Sequence, residues 1–109
     1  MYAKNLLSKK EFSSERPVKK DILNSKNFNI VSVCLEKGQE IKPHPEPYAV
    51  FFLVLDGKGI FTNSEGSFEL SKQSCISIGV DEIRGIKCIE NLVVLGVQDG
   101  HETSKSIEK

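Results

Sequence analysis

Apolar residues in this chain come in short runs, each closed by turn-forming residues, and that spacing suits strands and leaves little room for helices. Phe28 to Leu35 is rich in β-branched and apolar residues and stops at Glu36-Lys37-Gly38. Tyr48 to Leu55 follows, apolar on both faces, and Asp56-Gly57 with Gly59 reads as a tight connection into Ile60-Phe61-Thr62. A second turn at Asn63-Ser64-Glu65-Gly66 leads to Ser67 to Leu70, Ser74 to Ile78, Ile83 to Ile89 and Leu92 to Val97. Pro17 opens one more short run, Val18 to Leu23. The pattern predicts about eight strands and no amphipathic helix, hence an all-β closed barrel or sandwich and not a doubly wound α/β fold.

The 109 residues suffice for one domain with one core. Three stretches are expected: a polar segment with a short strand over 1–27, a β-barrel over 28–98, and a charged tail over 99–109, in which His101 needs no role. Lys plus Arg equals Asp plus Glu at 15 each, with the basic residues thickest before position 30, so nucleic acid is not an expected partner. The apolar run Ala49 to Leu55 is far shorter than the roughly 20 residues a membrane helix needs. The first residues show no stretch of signal-peptide character, and three cysteines with no C-x-x-C spacing suggest reduced thiols in a cytoplasm.

Between Gly38 and Gly57 the prolines 43, 45 and 47 alternate with His44, Glu46 and Tyr48, which puts this stretch at a sheet edge or in an extended loop. The segment resembles the first signature of the cupin superfamily: glycine, five residues, His-x-His, a later glutamate and a closing glycine. Gly38, His44 and Gly57 stand in register with it, while Glu46 takes the place of the second histidine and Val50 that of the glutamate. The second signature, Gly-x5-Pro-x-Gly-x-x-His-x-x-x-Asn, falls on Gln73 to Cys88, where Gln73, Gly79, Asp81, Arg84 and Cys88 fill the five named places. The resemblance spans residues 28 to 97 and implies a cupin-like double-stranded β-helix, or jelly-roll barrel, whose usual metal site is degenerate.

The resemblance places the even-numbered side chains of the central strand inside that barrel. His44, Glu46, Tyr48, Val50, Phe52 and Val54 then share one parity, and Arg84, Ile86 and Cys88 share an inner face by the same alternation. A divalent metal normally needs three or four imidazole and carboxylate ligands, and His44 and Glu46 are the two offered here. Arg84 stands where a histidine is usual, and a guanidinium is a fixed cation without a lone pair. An Arg84–Glu46 ion pair in place of a metal–carboxylate contact is therefore expected, and an inward guanidinium would suit a carboxylate or phosphate. Cys88 reads either as a thiol activated by His44 or Arg84 or as a small buried hydrophobe.

Three functions are weighed. The first is a small ligand-binding cupin with no cofactor, its pocket lined by Val50, Phe52, Val54, Ile86 and Cys88, with His44, Glu46, Tyr48 and Arg84 fixing a small, anionic molecule. The second is a metal-dependent oxygenase or isomerase in which one divalent transition metal sits on His44, Glu46 and a third ligand. The third is a metal-free acid–base catalyst using His44 or Glu46. On the opposite parity Phe51, Leu53 and Leu55 form an apolar face whose burial contributes on the order of 5 to 8 kcal/mol before association costs. A homodimer through that face is expected, unless the strand Val18 to Leu23 covers it.

Overall fold

The computed structural model describes residues 5–7 and 10–100. Seven strands follow one another: β1 (Val18–Asn24), β2 (Phe28–Leu35), β3 (Glu40–Pro45), β4 (Val50–Asn63), β5 (Gly66–Ser71), β6 (Cys75–Ile78) and β7 (Ile83–Asp99). Every pairing is antiparallel. The fold is all-β and has the jelly-roll form of a double-stranded β-helix, and its architecture turns on the two long strands.

β4 and β7 run alongside each other for most of their length and bend together. Val50 to Val54 pair with Val94 to Gln98, and Gly59 to Thr62 pair with Gly85 to Cys88; between them the register shifts at Val54, Asp56 and Lys58. The expected tight turn at Asp56-Gly57 is therefore a bulge inside one strand, and Ile83 to Ile89 and Leu92 to Val97 are likewise one strand. The glycine does the bending. Gly57 has φ +87°, and a Cβ there would run into the Asn91 carbonyl of β7. The bulge divides each long strand between two sheets. The first half of β4 lies between β6 and the second half of β7, which continues to β2 and β1. The second half of β4 lies between β5 and the first half of β7, which continues to β3.

β3 tolerates Pro43 and Pro45 because it pairs only with β7 and so forms a sheet edge. The pairing is irregular between Ile41 and His44, where Pro43 packs on Gly85 closely enough that a Cβ there would come within 2.8 Å of the proline ring. His44 then sits directly across the ladder from Arg84.

The core lies between the two sheets. Val31, Val33, Leu35, Val50, Phe52 and Val54 of one meet Phe61, Ile86 and Cys88 of the other, and Phe52 packs on Phe61 with ring centroids 5.9 Å apart. Two non-glycine turn residues adopt a left-handed backbone. Gln73 and Asp81, standing where the second signature has glycine, have φ +73° and +64°, the left-handed conformation that glycine adopts most readily.

β1 pairs with the edge of β2 and does not lie over the outer face of β4. Phe51 is left 41% exposed, while Leu53 and Leu55 are half-buried. His101 and the rest of the expected tail from 101 on lie outside the described residues.

Candidate functional site

A cavity of about 200 Å³ opens at one end of the space between the sheets. Its apolar lining comes from Val31, Val33, Ile41, Val50, Phe52 and Ile86, and its polar lining from His44, Glu46, Tyr48, Arg84, Gln98 and Lys19. Six of the seven residues singled out from the sequence as ligand-binding thus meet at one place: His44, Glu46, Tyr48, Val50, Phe52 and Arg84. The seventh, Cys88, is not among the lining residues. It is buried further along β7, its thiol donating to the carbonyls of Leu35 at 3.3 Å and Glu90 at 3.2 Å, and burial pushes its pKa up. Strand alternation settled which side of the sheet Cys88 faces; its distance along the strand puts it in the packed part of the core.

Two lining groups escaped the sequence reading. Gln98, 7% exposed, keeps the even-numbered inner parity of Arg84 and Ile86 across the bend of β7. Following that parity past Asn91 would have found it. Lys19 comes from β1, opposite Val33, and no sequence signal places it, because the register of β1 on β2 is set by tertiary pairing.

His44 and Glu46 hold each other. Nε2 of His44 lies 3.0 Å from Oε2 of Glu46, and Nδ1 donates to the Lys42 carbonyl at 2.9 Å. Because that carbonyl takes the Nδ1 proton, the contact with Glu46 is a hydrogen bond only when a second proton sits between ring and carboxylate. A metal ion held by this pair would need further donors. Among the described residues no group of three His, Cys, Asp or Glu side chains is placed to hold a metal ion. Across the ladder from His44 stands a cation, so this donor set does not fit a divalent metal.

The expected Arg84–Glu46 ion pair is not formed. Arg84 is 5% exposed, and its Nη2 donates to main-chain carbonyls: Gly79 and Glu82 at 3.1 Å each, and Glu46 at 3.4 Å. The Glu46 carboxylate is turned to His44 instead. Arg84 Nε and Nη1 are buried with no hydrogen-bond partner among the described residues. An unmet buried donor costs about 1–3 kcal/mol, more on a charged group, so the guanidinium is only partly satisfied. The Tyr48 ring lies 5.1 Å from Cζ, a cation–π contact worth about 0.5–2 kcal/mol. Burial raises the Tyr48 pKa, as does the Glu46 carboxylate, with Arg84 pulling the other way.

The turn from β6 into β7 is shaped around Nη2. The Glu82 carboxylate accepts from the Gly79 N–H at 2.6 Å and from the Ser64 hydroxyl at 2.6 Å, while Asp81 N–H donates to the Glu46 carbonyl at 2.9 Å. The Ser64 hydroxyl and then the Gly79 N–H hold the Glu82 carboxyl below the usual carboxylate range, with Arg84 adding to them. The Gly79 and Glu82 carbonyls are thereby aimed at Arg84.

No family model and no curated protein matches the chain. Solved structures do. An RmlC-like cupin protein from Desulfovibrio desulfuricans superposes with a TM-score of 0.83 at 24% identity, over 91% of this chain and 96% of that one. A conserved protein with a double-stranded β-helix domain from Klebsiella pneumoniae gives 0.81 at 16% identity, over 91% and 90% of the two chains. KdgF from Halomonas gives 0.78 at 14% identity, over 84% and 86%. The chain thus has the fold of these small cupin and double-stranded β-helix proteins, and likenesses at this level of identity establish the fold without carrying an activity.

Proposed function

We propose that the protein binds a small organic acid in the barrel cavity and does so without a metal cofactor. The observation that carries this reading is the Arg84 guanidinium: a buried fixed cation beside an apolar cavity, with no carboxylate paired to it and two nitrogens unmet. Lys19 adds a second positive charge to the lining. Among the described residues the Glu46 carboxylate is the one acidic side chain in the lining, set against these two cations. The balance of charge around the cavity favours an anion, and its volume of about 200 Å³ suits a small one.

The test is calorimetric titration of chelator-treated protein with propionate, succinate and inorganic phosphate, each beside a neutral control such as propionamide. Saturable binding of an acid and none of the amide supports the reading. A requirement for added iron, manganese, nickel or zinc, lost in His44→Ala, would replace it with the metal-dependent enzyme.

We infer further that a second copy of the chain covers the outer face of the first sheet. Phe51 there is flanked by Val97 and, one strand on, by Ile30, and Leu53 by Leu95. Leu23 of β1, paired with Ile30, is 44% exposed, so the apolar strip crosses four strands. A chain-to-chain pairing buries the same strip on both copies, as two-fold symmetry requires. Sedimentation should give a dimer for the wild type and a monomer for Phe51→Asp; a monomeric wild type would rule the pairing out. The three cysteines are all unpaired, which supports placing the protein in a reducing cytoplasm.

A further inference from the structure

We propose that Tyr48 is the specificity-determining residue of this cavity: its ring closes Arg84 to water and to neutral molecules, and the acid group of the ligand reaches the guanidinium only when the ring turns aside. The proposal rests on the acid-binding reading above and adds how the acid is selected.

Arg84 lines the cavity, yet its Nε and Nη1 are buried as well as unpartnered. A ligand lying in the open space therefore does not touch them in this conformation. An aromatic group lies against the guanidinium: the Tyr48 ring, 5.1 Å from Cζ and itself a lining residue. Tyr48 as a whole is only half-buried, so part of it borders solvent. Nη2 cannot move with it, being tied to the carbonyls of Gly79, Glu82 and Glu46.

That anchoring also decides the mode of recognition. Nη2 belongs to both edges through which a guanidinium grips a carboxylate with two parallel hydrogen bonds, one shared with Nε and one with Nη1. With Nη2 spent on carbonyls, neither two-point grip is open. What remains is the two N–H groups of Nη1 on one edge and the single N–H of Nε on the other. A ligand oxygen would meet Nη1 singly. A compact anion gains from that contact because it exchanges a π face for a full negative charge on the cation. A neutral molecule gains little over the ring it displaces. Tyr48 thus discriminates by what the entrant offers Arg84.

The chain has two tyrosines and no tryptophan, so in Tyr2→Phe protein the aromatic emission reports on Tyr48. Its two arginines, Arg16 and Arg84, give two Nε–H resonances, of which one belongs to the site. Titration of Tyr2→Phe protein with propionate should change the Tyr48 emission and shift the Arg84 Nε–H resonance over one concentration range, with propionamide moving neither. Tyr48→Ala and Tyr48→Leu should each bind propionate roughly two- to thirtyfold more tightly, the range set by loss of the ring contact, and should also let propionamide in. Two folded variants matter here: if one loses its fold, the other still decides. Propionate that binds the wild type but no more tightly to either variant overturns the role of Tyr48 and leaves the acid-binding reading standing. If propionate, succinate and phosphate bind neither the wild type nor the variants, both fall.

Discussion

The two ends of the barrel interior are built by the same strands and reach opposite outcomes. At the closed end Leu35, Val54, Phe61 and Leu92 are all 0% exposed and interlock without polar groups. At the open end the same strands present Val33, Phe52, Gln98 and Arg84 around unfilled space, with a cation that lacks two hydrogen-bond partners. β7 makes the contrast on one chain, since Arg84, Ile86 and Cys88 alternate inward but only the first two reach the cavity. Packing stabilises one end, and the other is left under-satisfied. A fold secured at its closed end can tolerate such a defect at the other.

Substitutions can sharpen that division. Phe61→Ala should cost about 3–5 kcal/mol in urea unfolding, because the tightly packed end cannot collapse onto the void. Phe52→Ala, made on the cavity wall, should cost visibly less than Phe61→Ala. Equal losses would mean that both ends are equally responsible for the fold.

Arg84→Met should leave stability unchanged or raise it by up to about 2 kcal/mol, since a partly satisfied buried charge gives way to a hydrophobe of similar length. Acid binding should vanish with it. A loss greater than about 2 kcal/mol would show instead that Nη2 is chiefly a pin for the turn through Gly79 and Glu82.

Alkali should act at both ends. Tyr48 and Cys88 have pKa values raised by burial, so the folded state holds their protons more tightly than the unfolded chain does. Their contribution is fully present below the ordinary values of 9.0 for the thiol and 10.0 for the phenol, and is lost as pH rises through the folded values. Stability measured by urea unfolding should fall from about pH 9 upward, and Tyr48→Phe should remove the later part of that fall. A flat profile in both proteins would contradict the burial assigned to the two groups.

The smallest effect concerns the turns. Gln73→Gly and Asp81→Gly should each stabilise by about 0.5–1 kcal/mol, as glycine relieves the left-handed backbone there but adds freedom to the unfolded chain. Destabilisation by either would mean that the side chain makes a contact worth more than the strain.

Those two turns also show why the fold was legible when the site was not. Strand runs, turn clusters and the spacing of Gly38, His44 and Gly57 are readable as sequence, and positions 73 and 81 adopt a glycine-like backbone without being glycine. The alternation rule placed His44, Glu46 and Arg84 about one cavity. It said nothing of rotamers, so the Arg84–Glu46 pair was expected where the carboxylate turns to His44 and the guanidinium turns to carbonyls. Asp56-Gly57 was read as a hairpin because a bulge uses the same residues; only the matching bend at Glu90 and Asn91 across the ladder tells them apart. Lys19 was invisible for want of the β1 register.

The most direct test of the account is the affinity of chelator-treated wild type and Arg84→Met for propionate and propionamide, measured side by side by calorimetry. The account predicts that the wild type binds the acid and excludes the amide, and that the variant, still folded, binds neither. Acid and amide binding alike, or a folded Arg84→Met that keeps the wild-type affinity for propionate, would contradict it.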